Sequence, residues 1–252
     1  MGTLDGKVAI VTGAGQGVGE GIALALAKEG AAIVAAGRTE SKVIATAEKI
    51  EAAGGRALPM LCDVCKPVDI AATIRKTLTE FGGIDILINN AQIVHKDLLD
   101  NLDDGQFTEV FDSGPFATFR FMKAVKPHMK ARGGGNIVNL ATSGAVRWDA
   151  KGYGVYAAAK QAIRSLTRAA AHEWAKDGIR VNTIVPIAMT PALQDWIAGD
   201  PGSKAFLDGI PMGRVGDPEK DIGRAVVFLC GPDAGYVTAL TMPLDGGQAY
   251  FG

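Results

Sequence analysis

Short apolar runs alternate with longer segments of helical period along the whole chain. The short runs are rich in valine, isoleucine and alanine, as expected for buried strands. They are Val8–Thr12, Ile33–Ala36, Ala57–Cys62, Ile84–Asn89, Asn136–Leu140, Arg180–Val185 and Leu240–Leu244. The helical segments are Gly17–Glu29, Glu40–Ala53, Pro67–Phe81, Asp103–Arg132, Tyr156–Lys176 and Pro218–Leu229. This alternation predicts an α/β fold, in which helices cover both faces of a parallel sheet.

The segment from Ile187 to Val215 is the least regular part of the chain and includes Gly199, Pro201 and Gly202. Because it would leave the sheet at a strand end, we predict a substrate loop or lid at about 187–215. Elsewhere the sequence shows no linker and no internal repeat. The whole chain, residues 1–252, is therefore predicted to be a single domain.

The composition excludes several classes of function. The chain has 252 residues, a formal net charge of −1 and no basic run, so neither a nucleic acid nor a membrane surface is an expected partner. Three cysteines and scattered histidines give no metal-ligand spacing, and we expect no metal. Without a signal peptide pattern or an apolar run of roughly 20 residues, a cytoplasmic location is the expectation.

A glycine-rich turn follows the first predicted strand and precedes the first helix. Glycines in this context let the backbone approach a pyrophosphate, and the helix N-terminus offers free N–H groups to it. A bare glycine pattern is weak evidence, but the strand–turn–helix context indicates a dinucleotide site. Its candidate residues are Gly13, Gly15, Gln16, Gly17, Val18 and Gly19.

The end of the second strand predicts which dinucleotide is bound. Enzymes that use NAD usually carry an acid there for the ribose 2′-hydroxyl. This chain has Gly37 followed by Arg38, so no carboxylate repels a 2′-phosphate and a guanidinium can hold one. We therefore expect NADP(H) to be preferred, with NAD(H) possible.

Tyr156 and Lys160 lie four residues apart at the start of a helical segment, so they share one helix face. The lysine charge is expected to lower the tyrosine pKa from ~10 towards neutrality. Tyr156 would then exchange a proton with a substrate oxygen as acid or base. The motif alone is common, and its significance depends on the other motifs of the chain.

Together, these motifs resemble the short-chain dehydrogenase/reductase family, and within it the 3-oxoacyl-carrier-protein reductases. The resemblance runs from about Leu4 to Gly247 and includes Asn89-Asn90-Ala91 and Leu244-Asp245-Gly246-Gly247. It implies a single-domain Rossmann fold with a doubly wound, seven-stranded parallel sheet, and a homo-oligomer, either a dimer or a tetramer. It also implies cofactor contacts from Asp63, Val64, Asn89, Ala91, Tyr156, Lys160, Pro186 and Thr190.

The family places a hydroxyl before the tyrosine to orient the substrate oxygen. Counting back from Tyr156 favours Ser143, whereas counting forward from the strand favours Thr142. Both remain catalytic candidates. Trp148, Tyr153 and Trp196 lie on segments that wall the substrate pocket in this family.

Three departures from the family pattern fall near the expected site. Gln92 replaces a glycine, Gly114 replaces an asparagine that supports a proton relay, and Ile187 stands after Pro186 where the family has a glycine. Gly114 and Pro115 should also kink the helix there. The leading hypothesis is an oxidoreductase that transfers a hydride between NADP(H) and a secondary alcohol or ketone. The alternatives are an impaired, cofactor-sensing binding module and, less favoured, a redox protein that uses the Cys62-x-x-Cys65 spacing.

Overall fold

The computed structural model describes residues 2–147, 152–200 and 202–249. Within them, seven parallel strands form one sheet in the order β3-β2-β1-β4-β5-β6-β7. The strands are β1 (Val8–Thr12), β2 (Ala32–Gly37), β3 (Arg56–Leu61), β4 (Ile86–Asn89), β5 (Gly135–Leu140), β6 (Ile179–Pro186) and β7 (Thr241–Leu244). The predicted doubly wound α/β fold is confirmed, and the strand bounds shift by no more than two residues.

Helices cover both faces of this sheet within the described ranges. They are α1 (Gly17–Lys28), α2 (Glu40–Ala52), α3 (Pro67–Phe81), α4 (Asp104–Phe111), α5 (Ala117–Ala131), α6 (Gly154–Trp174), α7 (Pro191–Gly199), α8 (Ser203–Asp208) and α9 (Arg224–Cys230). None of these helices combines the length and apolar character needed to cross a bilayer.

Alternate side chains of each strand enter separate core layers. In β1, Ala9 and Val11 pack with α1, α2 and α9, whereas Ile10 packs on the other face with α3, α5 and α6. All three side chains are fully buried. Burial on both faces explains why the strands appear in the sequence as continuous apolar runs.

One predicted helix and the predicted loop have a different form from the one expected. Asp103–Arg132 is not one helix, because a π-helical turn at Asp112–Phe116, which contains Pro115, separates α4 from α5. Proline has no backbone N–H to donate, which accounts for the change in helical hydrogen bonding at this point. The irregular segment 187–215 contains two short helices, α7 and α8. They were not predicted, because the glycines of this segment favoured a loop.

The strand order reverses between β1 and β4, and this reversal positions the site. Chain connections leave in opposite directions there, which opens a crevice at the carboxyl ends of the strands. The side chain of Asn89, at the end of β4, donates to Asn139 Oδ1 at 2.8 Å, and Asn139 donates to Thr167 Oγ1 at 2.8 Å. This buried network fixes β4 and β5 against α6.

Candidate active site

The glycine turn between β1 and α1 has a shape that side chains would obstruct. Gly13 and Gly17 have φ values of +65° and +58°, which favour glycine. A Cβ on Gly19 would lie 2.3 Å from the carbonyl oxygen of Gly13. Gln16 at the N-cap makes no side-chain cap to the first N–H groups of α1. The turn therefore fits a pyrophosphate, whose oxygens can accept from those groups.

Asn90 holds this turn against β4. Its Nδ2 donates to the carbonyl oxygens of Thr12 at 2.9 Å and Gly13 at 3.2 Å. The Thr12 hydroxyl accepts from the backbone N–H groups of Asn90 at 2.9 Å and Ala91 at 3.1 Å. Neither Thr12 nor Asn90 is among the predicted cofactor residues, although the Asn89-Asn90-Ala91 motif marks the position of Asn90.

A cleft of about 260 Å³ runs from this turn across the ends of β2, β3 and β4. Seven of the predicted cofactor residues line it, namely Gly13, Gly15, Gln16, Arg38, Asp63, Val64 and Ala91. The other predicted residues, Gly17, Val18, Gly19, Asn89, Tyr156, Lys160, Pro186 and Thr190, are not in its lining. Further lining residues that were not predicted include Thr39, Lys42, Asn90, Gln92 and Ile93.

Two cations stand at the β2 end of the cleft. Arg38 is exposed and makes no ion pair with any other described residue. Lys42, one helical turn further on in α2, donates to the side-chain oxygen of Gln16 beside the glycine turn. Thr39, at the N-cap of α2, makes no side-chain cap. With these two cations, this end of the cleft can hold a dianionic phosphate.

Tyr156 and Lys160 lie on the first turns of α6 and face β5. The Lys160 ammonium nitrogen lies 5.4 Å from the centroid of the Tyr156 ring. It donates to the Leu140 carbonyl oxygen at 2.7 Å and is buried, with 3% of the residue exposed. The helix and the end of β5 therefore bring a phenol and an amine together at the carboxyl edge of the sheet.

Burial dominates the ionisation of this pair. It raises the pKa of Tyr156 to about 12, and the neighbouring Tyr153 adds to the rise. Burial also lowers the pKa of Lys160 to about 7. The expectation that the lysine charge lowers the tyrosine pKa is therefore wrong for this structure. Desolvation of the phenol outweighs the hydrogen bond with Thr142, which acts to lower the pKa of Tyr156.

The two candidate hydroxyls differ in what they face. A hydrogen bond with the Thr142 side chain acts on Tyr156 and counters part of the rise in the tyrosine pKa. The Thr142 hydroxyl also accepts from the Gly144 backbone N–H at 3.2 Å. The Ser143 hydroxyl instead points to Gln248 Oε1, at 3.5 Å. The geometry thus brings Thr142, rather than Ser143, to the tyrosine.

With this geometry in place, the comparisons with known proteins decide the family. A family model described as enoyl-(acyl carrier protein) reductase matches residues 13–249. The chain is 43% identical to the 12α-hydroxysteroid dehydrogenase of Clostridium sp. (strain ATCC 29733 / VPI C48-50), over 98% of each protein. The chain belongs to the short-chain dehydrogenase/reductase family.

Other members share the whole length of the chain. The 3-oxoacyl-(acyl-carrier-protein) reductase FabG of Vibrio cholerae serotype O1 is 36% identical over 97% of this chain and 98% of its own. A solved 7α-hydroxysteroid dehydrogenase, complexed with NADH and 7-oxo glycochenodeoxycholic acid, matches with a TM-score of 0.92. It is 31% identical and covers 98% of this chain and 95% of that one. The protein is therefore an enzyme of the family, an NAD(P)(H)-dependent oxidoreductase.

The segment after β6 approaches the glycine turn. Thr190 caps α7, accepting from the Leu193 N–H at 3.2 Å. Its Cγ2 lies only 3.1 Å from the position of a Cβ on Gly17. Pro186 ends β6 just before this segment. Thr190 thus lies beside the predicted pyrophosphate turn, although it does not line the cleft.

Aromatic side chains stand beside Tyr156 on the expected wall of the substrate pocket. The Tyr153 ring lies 6.0 Å from that of Tyr156, measured between centroids. The Lys96 ammonium lies over Tyr153 at 5.3 Å and over Trp196 at 5.8 Å. Trp148, the third predicted wall residue, lies outside the described residues.

Burial acts on both cysteines of the Cys62-x-x-Cys65 spacing. Burial raises the pKa of Cys62, and it raises that of Cys65 to about 11. Both thiols therefore stay protonated at neutral pH and are poor nucleophiles. No cluster of three or more His, Cys, Asp or Glu side chains that could hold a metal occurs among the described residues.

Proposed function

We propose that the protein transfers a hydride between NADP(H) and a secondary alcohol or ketone, with Tyr156 as the acid/base. The observation that carries this proposal is the Tyr156–Lys160 pair, with Thr142 beside it, at the sheet edge that also carries the dinucleotide cleft. The relatives support the substrate class. The hydroxysteroid and the 3-oxoacyl group that their names specify share an alcohol/ketone centre.

Tyr156 acts as the proton donor when a ketone is reduced. A phenol with a pKa of about 12 is neutral across the physiological range, so its proton is available. When bound, the dinucleotide supplies or accepts the hydride. The Thr142 hydroxyl can donate to the same substrate oxygen and fix its orientation.

Lys160 tunes this proton transfer. With a pKa of about 7, its amine holds a proton in part of the population at neutral pH. The protonated amine stabilises the phenolate that forms as Tyr156 gives up its proton. The Leu140 carbonyl oxygen orients the amine beside the ring.

Arg38 and Lys42 supply the preference for NADP(H). A 2′-phosphate can accept from a guanidinium bidentately, and a second cation one helical turn away adds to the attraction. Arg38 is free to do this, since no carboxylate among the described residues pairs with it.

Calorimetric titration should show NADP⁺ binding more tightly than NAD⁺. Arg38→Gln should weaken NADP⁺ about tenfold to a hundredfold and leave NAD⁺ within twofold. Equal affinities for both cofactors in the wild type would contradict the assignment.

The catalytic assignment is tested with Tyr156→Phe. Removal of the hydroxyl should lower turnover of any accepted ketone by at least about a hundredfold, because no other proton donor replaces it. The Kd for NADP⁺ should stay within twofold. Tyr236→Phe, which alters a fully exposed tyrosine, is the matched control. Turnover retained by Tyr156→Phe would remove the proposed mechanism. Turnover absent from the wild type on a broad carbonyl panel, with tight cofactor binding, would instead favour a sensing role.

An oligomer and a cytoplasmic location stay predictions. Exposed phenylalanines at Phe107, Phe116 and Phe119 lie on α4, the π turn and α5. Exposed aromatic rings on neighbouring segments suit an interface between subunits. The mass of the protein in solution, measured by light scattering, tests the oligomer.

A further inference from the structure

Lys96 lies on the segment after β4, and contacts with the turn before α6 fix the position of its stem. The backbone N–H of the next residue, Asp97, donates to the Gly152 carbonyl oxygen at 3.0 Å, which ties the segment to this turn. A Cβ on Gly152 would lie 3.3 Å from Lys96 Cγ, so the stem of the lysine crosses directly over this glycine. The stem is therefore held in place, although the residue is exposed.

The ammonium of Lys96 lies over two aromatic rings from different elements. It is 5.3 Å from the ring centroid of Tyr153 and 5.8 Å from that of Trp196. The Tyr153 ring is itself 6.0 Å from the ring of Tyr156, whereas Trp196 lies on α7, in the segment predicted to form the lid. A single aromatic ring thus separates this ammonium from the proposed acid/base.

The charge of Lys96 has no partner in the part of the chain that the structure describes. No carboxylate there lies within ion-pair distance of it, and no oxygen accepts a hydrogen bond from it. An ammonium group has three N–H donors, and an aromatic ring offers its face instead of a lone pair. All three donors are therefore available to an anion that reaches this place from solvent.

The charge of Lys96 reaches Asp200, which lies just after α7. The carboxylate of Asp200 accepts from the Gly202 backbone N–H and from Trp196 Nε1, each at 2.7 Å. These two hydrogen bonds lower the pKa of Asp200, and the Lys96 charge adds to the fall. Because one ammonium and one carboxylate already share this region, a ligand group with a single negative charge suits it. A dianionic phosphate would be repelled more strongly by Asp200.

Aromatic rings continue this surface on the side of the lid. The ring of Trp196 packs edge-on against that of Phe206 on α8, with 5.4 Å between the centroids. A substrate that extends from Tyr156 towards α7 would pass Tyr153 and meet these rings before it reaches the ammonium. Its body should therefore be apolar, with the charge at its far end.

We propose that Lys96 is a specificity-determining residue, and that the preferred substrate is an apolar ketone or secondary alcohol that also carries a carboxylate. The reacting oxygen would lie at Tyr156 and Thr142, and the carboxylate would accept from the Lys96 ammonium between the two rings. This inference rests on the proposed NADP(H) function and adds the chemical class of the substrate to it.

The test compares oxo acids with their methyl esters, because esterification removes the charge and keeps the ketone. The acids are 5-oxohexanoate, 7-oxooctanoate and 4-acetylbenzoate, and their reduction is followed at saturating NADPH. The variants are Lys96→Met, which removes the charge, and Lys96→Arg, which keeps it. Lys126→Met is the matched control, since Lys126 also lies over a tryptophan ring, that of Trp174 at 5.5 Å, but at the far end of α6.

Wild type should show a kcat/KM about fivefold to tenfold higher for the acid than for the ester in at least one pair. Lys96→Met should lose this preference through a higher KM for the acid and leave the ester within twofold. Lys96→Arg should keep most of the preference, and Lys126→Met should keep all of it. An equal fall for acid and ester in Lys96→Met would mean that the lysine only packs against the lid, and it would overturn the inference.

A measurement on wild type alone covers the case in which Lys96→Met does not fold. Raising the NaCl concentration from about 50 mM to about 500 mM should lower kcat/KM for the acid several-fold and leave the ester within twofold, because salt screens the attraction between exposed charges. Esters reduced as well as acids, without this salt dependence, would overturn this inference alone. No turnover of any acid or ester, with NADP⁺ still bound tightly, would overturn the proposed function as well.

Discussion

The two ends of the sheet achieve their function with different parts of the chain. At the β1–β3 end, the dinucleotide cleft is formed mainly by backbone, with glycines that give close approach and two cations from one short segment. At the β4–β7 end, the proposed catalytic centre is formed by side chains, namely those of Thr142 in the turn after β5 and of Tyr156 and Lys160 on α6. The first arrangement depends on where the backbone allows a close approach, whereas the second depends on which side chains a turn and a neighbouring helix bring together.

This difference should appear in how each end tolerates substitution. Where backbone approaches backbone, an added methyl group has nowhere to go and the geometry itself must change. Where side chains meet, a substitution removes one interaction and leaves the frame in place. The β1–β3 end should therefore show the largest response to the smallest chemical change.

The largest effect is expected for Gly19→Ala. Its Cβ would lie 2.3 Å from the Gly13 carbonyl oxygen and 2.5 Å from Asn90 Nδ2, so the glycine turn must open. We expect about a hundredfold loss of NADP⁺ affinity, measured by calorimetry. Gly105→Ala should leave affinity unchanged. Equal, small effects of both substitutions would show that the turn is more adaptable than the comparison implies.

The contrast also explains what the sequence could predict. Glycines before a helix and Tyr156 four residues before Lys160 are local patterns, and their placement requires only the strand–helix alternation. The role of Lys42 depends on a contact with Gln16 across two elements. Gln92, after the end of β4, packs against Gly114 in the π turn, and this contact joins two elements. In the sequence, each of the two residues was only a departure from the family pattern. The choice between Thr142 and Ser143 depended on backbone direction after β5, which spacing could not give.

The second effect, on stability, concerns Lys160 at the catalytic end. Its pKa falls from an ordinary 10.5 to about 7 in the folded protein. Between these values the unfolded chain holds a proton that the folded chain lacks, so the free energy of unfolding should rise with pH from about 7 to 10. Above pH 10 the raised pKa of Tyr156 reverses the trend, because the unfolded phenol ionises first.

Lys160→Met should remove that rise and abolish turnover. At pH 7 the variant should be more stable by about 2 kcal/mol, because the cost of burying the amine disappears and only the hydrogen bond to Leu140 is lost. Urea denaturation at several pH values measures this, with Lys28→Met, an exposed lysine, as the control. A wild-type curve that is flat between pH 7 and 10 would mean that the amine is not desolvated as the structure indicates.

The smallest expected effect tests which hydroxyl, that of Thr142 or that of Ser143, orients the substrate oxygen. Thr142→Val keeps the shape of the side chain but removes the hydroxyl that faces Tyr156, so turnover of an accepted ketone should fall about tenfold. Ser143→Ala removes a hydroxyl whose described contact is with Gln248 at 3.5 Å, and turnover should stay within about threefold. Both variants should bind NADP⁺ like wild type, since neither residue lines the cleft. The reverse ranking in turnover would assign the orienting hydroxyl to Ser143. It would also mean that substrate binding rearranges the turn after β5. The side-chain geometry at the catalytic end would then be set by the ligand as much as by the fold.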